Sequence, residues 1–326
     1  MLKLLKNLNK KDWLYVFISA ILIVFQVWLE LKMPDYMSNI TQLVQTKGAA
    51  MSDILREGGY MLLCAFGSLV SAFIVGYFTS SISASFSYRT RGKLFRKVED
   101  ISTYEIKKFS PSSLITRTTN DITQIEFLIA MGLTLMIKAP ITAVWAVTKI
   151  VNKSIEWSIL TGVAVLVLLI TIGIIMIIVM PKFKIVQELL DKVNMVMREN
   201  LTGIRVVRAF NAEEYQEDKF EGINNKLTKQ QIFNQTAFNY LSPIMYLVMY
   251  FLTLGIYFIG AILINDAGMG DKIVLFGNMI VFSSYAMQVI MSFLMLAMIF
   301  MMLPRASVSA KRINEVLDTP ISVKEG

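Results

Sequence analysis

Apolar residues in this chain gather into six long runs, at roughly 13–33, 60–82, 127–151, 155–180, 237–264 and 273–303. Each supplies the about 20 mostly apolar residues that a helix needs to cross a hydrocarbon core of ~30 Å. The gaps between the runs alternate. Those after the second and fourth, at about 83–126 and 181–236, are long and charged, whereas those at 152–154 and 265–272 are barely loops. The pattern predicts an all-α membrane protein of six transmembrane helices. Its mass outside the membrane is concentrated on one side, in two long helical loops.

Inside the long gaps the helical period continues. Leu94, Phe95, Val98 and Ile101 recur among Arg91, Lys93, Arg96, Lys97, Glu99 and Asp100, which reads as an amphipathic helix. Pro111 biases the residue before it away from helix, so a break is expected at Ser110-Pro111-Ser112, with Ser112 or Ser113 capping a short helix. In the second gap Val186, Leu189, Leu190, Val193, Val196, Met197, Leu201 and Ile204 form a stripe, a turn is expected near Asn211, and Phe220, Ile223 and Leu227 lead back. A helix over residues 60–108 would be about 70 Å long, so its loop part would project far beyond the bilayer. Each tip is expected to carry a short element across the long helices. A stalk without a partner is the plain alternative.

Charge fixes the orientation of this plan. The net charge is +8, yet 25 of the 32 Lys and Arg residues lie before Trp13, in the two long gaps or after Leu303. By the positive-inside rule both termini and both long loops are cytoplasmic. The long gaps hold nearly as many acids as bases, which argues against a nucleic-acid partner. The lysines ahead of the first run imitate a signal peptide, but the run is too long and lacks a small-residue cleavage site, so it reads as a retained helix. There is no His, and Cys64 is the only cysteine. Histidine acid–base chemistry, thiolate zinc sites and an intrachain disulfide are thereby excluded, and Cys64 reads as a packing residue.

At the tips the sequence resembles the transmembrane domain of an ATP-binding-cassette exporter. Phe109 followed by Ser112-Ser113-Leu114-Ile115-Thr116-Arg117-Thr118-Thr119-Asn120-Asp121 resembles the family pattern F…G-x-L-x-S-R-x-x-x-D, with Ser112 for the commoner Gly and Thr116 for Ser. Glu199-Asn200-Leu201-Thr202-Gly203-Ile204-Arg205-Val206-Val207-Arg208-Ala209-Phe210-Asn211 resembles E-N-L-x-G-I-R-x-V-[KR]-A-F. Ala306, Ser309, Ala310 and Arg312 to Asp318 are similar to the usual exit toward a nucleotide-binding domain. The resemblance spans the whole chain and implies a transmembrane domain over 1–319, with 320–326 starting a linker. It implies a first coupling helix at Ser112, Ser113, Leu114, Ile115, Thr116 and Arg117, with Asp121 behind it. It implies a second at Arg208, Ala209, Phe210, Asn211, Ala212, Glu213 and Glu214, with Phe210 as apolar anchor. Arg117 and Asp121 have a plainer reading as an i,i+4 surface pair. Gly203 reads either as a close-packing site or as a tolerated glycine.

The same resemblance sets expectations for cofactors and partners. No G-x-x-x-x-G-K-[ST] phosphate loop and no L-S-G-G-Q signature occurs. The chain alone is therefore not expected to hydrolyse ATP and takes no cofactor itself, with ATP and Mg²⁺ expected on associated nucleotide-binding domains. The chain stops about where such a domain would begin; either it is cut from a longer polypeptide or its ATPase is a separate subunit, and the Arg312–Asp318 exit, which fits a fused linker, favours the cut. Lys138-Ala139-Pro140 resembles an Arg-Ala-Pro triplet of the heterodimeric subgroup. That implies a second exporter subunit, and a multi-pass protein of a bacterial plasma membrane.

The expected activity is export of a hydrophobic or amphipathic substrate by alternating access. An ion-coupled secondary transporter and a membrane scaffold are the competing readings. Lys138, near the middle of the third run, is a pathway candidate because an intramembrane cation is costly without a cavity or partner. Glu30 and Asp35 are its possible counter-ions. Met287, Met291, Met295 and Met298, with Gln288 alongside, read either as an adaptable cavity lining or as ordinary lipid-facing and packing residues.

Overall fold

The computed structural model describes residues 3, 8–46, 48–151 and 155–321, and among these no strand occurs. The gap expected at 152–154 and residues 322–326 of the expected linker lie outside the described residues. The elements are α1 (Lys10–Gln45), α2 (Met51–Asp100), the single turn α3 (Thr103–Ile106), α4 (Pro111–Thr118), α5 (Asn120–Phe127), a π-helical turn (Leu128–Gly132), α6 (Leu133–Val151), α7 (Ile155–Ala209), α8 (Glu213–Asn239), α9 (Leu241–Asp266) and α10 (Met269–Leu317). Among the described residues six helical stretches are long and apolar enough to cross a membrane: Lys10–Gln45, Met51–Asp100, Pro111–Val151, Ile155–Ala209, Glu213–Asp266 and Asp271–Leu317. Each of the six apolar runs falls within one of them, so the chain is an all-α, multi-pass membrane protein.

The chain forms two compact units. The first comprises Met1–Ser158 with Ile256–Gly326, and the second Ile159–Gly255. In the first unit α1 packs along α2, and α10 packs against α6 and α1. The inner face of α10 is Val281, Phe282, Tyr285, Ala286, Val289 and Ile290, all buried. Their spacing of one, three and four residues is what one stripe of a helix requires. At the loop end a second core gathers Ile82, Phe86 and Leu94 of α2, Ile122 and Ile125 of α5, Ile129, and Ala310, Ile313 and Val316 of α10. Helix α2 holds 50 residues, about 75 Å at 1.5 Å per residue, and so carries the packing well past a hydrocarbon core. Phe95, expected on its apolar stripe, is exposed, while Leu94 and Ile101 are buried.

Helix α1 begins at a capping box. The Asn9 side chain accepts from the first turn, and Asp12 reaches back to the Asn9 N–H at 2.8 Å. Asp12 also takes the Arg89 guanidinium at 2.8 Å and the Ser85 hydroxyl at 3.4 Å, which ties the start of α1 to α2.

The second unit is built on a hairpin of α7 and α8. Along it Phe183 lies 5.9 Å from Phe238, Lys182 sits 5.0 Å over Phe233, and the Lys219 ammonium reaches both Glu199 oxygens at 2.9 and 2.8 Å. Val186, Val196, Val207 and Leu227 are buried in this unit, whereas Met197, Leu201 and Ile204 are exposed. The apolar stripe expected on α7 is thus narrower toward the tip, where a two-helix hairpin covers only one side of each helix. Among the described residues Gly203 meets nothing that a Cβ would touch within 4 Å, so it makes no close packing with them. The close approach falls at Gly255, where a Cβ would lie 2.8 Å from the Leu160 side chain.

Candidate functional site

The first tip is α4, and its local sequence explains its form. Ser110, not Ser112 or Ser113, is the N-cap; its hydroxyl accepts from the Ser113 N–H at 3.2 Å. Pro111 then occupies the first helical position, where its missing N–H costs nothing because that donor has no intrahelical partner. The helix stops at Thr119, whose φ of −110° and ψ of −86° break the axis before α5 begins. The Thr116 hydroxyl donates to Ser112 O at 2.9 Å and Thr119 to Ile115 O at 2.8 Å. Ser112 and Ile115 are exposed, and Leu114 packs on the loop-end core.

Arg117 and Asp121 do not form the surface pair that their spacing allows. Both are buried, and both turn to α10. The Arg117 guanidinium donates to the Arg312 carbonyl at 2.5 Å, meets Glu315 at 3.1 Å, and donates through Nε to Ser113 at 3.2 Å. It also lies over the Phe109 ring at 4.9 Å. Asp121 accepts from the Ser309 hydroxyl at 2.8 Å and stands 3.7 Å from the Arg312 guanidinium. Their partners are some 190 residues away in the chain, which periodicity within one loop does not reveal.

The second tip lies in the other unit and is a turn, not a discrete helix. Helix α7 runs to Ala209 and α8 starts at Glu213. Between them Asn211 takes φ of +49°. The Ala212 N–H bonds to Val207 O at 2.9 Å and the Asn211 N–H to Arg208 O at 3.4 Å. That is a Schellman closure, in which one left-handed residue, often Gly or Asn, reverses the chain. The expected short helix over Ala209–Glu214 is corrected on this point: a single left-handed asparagine turns the chain at once and leaves no room for it. Phe210, at the turn, is 80% exposed. Arg208, Asn211, Glu213 and Glu214 are exposed around it, and Ala212 is half-buried.

Inside the first unit Lys138 meets Glu30 at 2.8 Å. The same Glu30 oxygen accepts from Gln26 at 2.9 Å and from Ser68 at 3.3 Å. Asp35, the other expected counter-ion, goes instead to Lys149 at 2.9 Å and to the Tyr285 hydroxyl at 2.8 Å. Lys149 and Tyr285 were not singled out from sequence; the signal was a second lysine and a second carboxylate flanking the same two spans. Met287, Gln288 and Met295 are half-buried and Met291 and Met298 exposed, on the flank of the packed face of α10. Pro140, Ile141, Val144, Trp145 and Thr148 line a shallow apolar groove on α6. Among the described residues no group of three or more His, Cys, Asp or Glu side chains is placed to hold a metal ion.

The family model described as ABC transporter transmembrane region matches residues 16–293. An uncharacterized ABC transporter ATP-binding protein of Mycobacterium bovis is 32% identical over 88% of this chain and 49% of its own length. Another, of Bacillus subtilis, is 28% identical over 93% of this chain and 52% of its own length. An ATP-dependent lipid A-core flippase of Pseudomonas putida is 25% identical over 65% of this chain and 35% of its own length. The chain spans about half the length of the first two relatives. With the family match extending over most of its residues, the chain belongs to the ABC transporter transmembrane region family.

Proposed function

We propose that this chain is the membrane half of an ATP-driven exporter, and that α4 and the Phe210 turn dock on ATPase domains. The observation that carries this is an exposed aromatic held at the apex of a hairpin: Phe210 is 80% exposed in a turn that presents it outward. A fully buried aromatic side chain gains about 1.5–3 kcal/mol over an exposed one, so a partner's apolar pocket would stabilise the complex by that order. Ile115, exposed on α4, offers a second apolar contact. Relatives named as ATP-binding proteins, twice as long as this chain, support ATPase domains as the partners.

In this reading both loops and both termini are cytoplasmic, and two such membrane domains assemble, as a heterodimer, in a bacterial plasma membrane. ATP and Mg²⁺ bind on the docked domains. Nucleotide binding on the docked domains closes the loop-side ends of the spans, and hydrolysis resets them. The substrate is hydrophobic or amphipathic and passes the methionine flank of α10, where unbranched thioethers adapt to varied shapes.

The test is Phe210→Ala in the complete transporter. Substrate-stimulated ATP hydrolysis is expected to fall about tenfold, as loss of one anchoring aromatic at roughly 1.4 kcal/mol implies, with ATP affinity nearly unchanged. Stimulation at the wild-type level would sink the docking assignment.

A further inference from the structure

We propose that Arg117 and Asp121 are positioning residues which lock the first tip to the last turns of α10, so that α10 sets where the exposed face of α4 stands. The inference rests on the reading of α4 as a docking element. Its own ground is the reciprocal pairing. Arg117 of α4 meets Glu315, and Asp121 of α5 meets Arg312, with the charges crossed in sign between the two helices. Two further bonds complete the set, from Arg117 to the Arg312 carbonyl and from Ser309 to Asp121.

The arrangement fixes one register. Sliding α10 by three residues, about one helical turn, would bring the half-exposed Arg312 toward the buried Arg117, and like charges brought together repel. The need for such a lock is visible in the backbone. The axis breaks at Thr119, so α4 does not inherit its direction from α5. Arg117 spans that break on one side and Asp121 on the other, and both anchor on the same stretch of α10. A guanidinium suits the first position because its planar fork serves a carbonyl and a carboxylate together, which an ammonium does less well. The apolar support lies beneath: Leu114, Ile122, Ile313 and Val316 share the loop-end core.

The experiment uses the complete transporter reconstituted in liposomes. Substrate transported and ATP hydrolysed are measured together, and melting temperature separately. Arg117→Gln and Glu315→Gln are each expected to lower substrate moved per ATP by about fivefold or more, a typical coupling effect. Arg117→Lys should recover part of the loss, and Arg117→Glu combined with Glu315→Arg should exceed Arg117→Glu alone. A purely structural role would lower the melting temperature and leave substrate per ATP unchanged, which would overturn the proposal. Ile115→Ala separates the two readings. If it leaves substrate-stimulated hydrolysis at the wild-type level, α4 does not dock and both fail. If it lowers hydrolysis while Arg117→Gln and Glu315→Gln keep normal coupling, docking stands and the lock fails.

Discussion

Asp12 shows how much one side chain can hold. It is buried at the third position of α1, where it closes the capping box, meets Arg89 and accepts from Ser85. Breaking a fully buried ion pair costs about 3–5 kcal/mol, but the Arg89 side chain is 30% exposed, so water screens part of this. Asp12→Ala should therefore destabilise the protein by about 2–3 kcal/mol, capping included. A double-mutant cycle with Arg89→Met, read by chemical denaturation in detergent, should return a coupling energy of about 1 kcal/mol or more. Additive losses would mean that Asp12 acts through the cap alone. The cap is local, with Asn9 and Asp12 three residues apart. The pairing with Arg89 was not readable from sequence, because its partner sits 77 residues away.

At the scale of elements, the α7–α8 hairpin has one electrostatic rivet with a definite pH signature. The hydrogen bonds from Lys219 to Glu199, ahead of their Coulombic attraction, hold the ammonium above its ordinary pKa. A cation stabilised by folding contributes fully below its unfolded value of about 10.4, and that contribution fades as pH rises through the higher folded value. The melting temperature of wild type should thus exceed that of Lys219→Met at pH 7–9, and the gap should close as pH rises past the raised folded value. A gap that stayed constant would show that Lys219 acts through its aliphatic stem. This hairpin also marks where sequence reading reaches its limit. Its long helices, its turn at Asn211 and its returning helix through Phe220, Ile223 and Leu227 follow from apolar period and one turn residue. The form of the tip does not, since a six-residue segment reads equally as a short helix or a Schellman closure until the φ of Asn211 is known. The same limit applies to α4: Ser110, Ser112 and Ser113 are all good caps, and the choice falls to the residue that leaves Pro111 at the first helical position.

At the scale of the whole molecule, charge that would be expensive in a bilayer is paired between spans that sequence separates widely. Glu30 meets Lys138 and Asp35 meets Lys149, both joining α1 to α6, while Tyr285 brings α10 to Asp35. Rising from Glu30 to Asp35 along α1 and from Lys138 to Lys149 along α6 in the same order, the two pairs set α1 and α6 parallel. Lys138 also keeps 17% of its side chain exposed beside this pair. Bracing and substrate contact can be told apart by removing the charges singly and together. Lys138→Met strands the Glu30 carboxylate with only Gln26 and Ser68, and should cost about 3 kcal/mol. Glu30→Gln added to Lys138→Met removes the stranded charge, and the melting temperature should return most of the way to wild type. Transport by this double variant is the decisive reading. If Lys138 only braces α1 against α6, restoring stability restores transport of every compound. If it also meets substrate, the restored protein still shows altered preference between anionic and cationic amphiphiles. The partial exposure of Lys138 leads us to expect the altered preference.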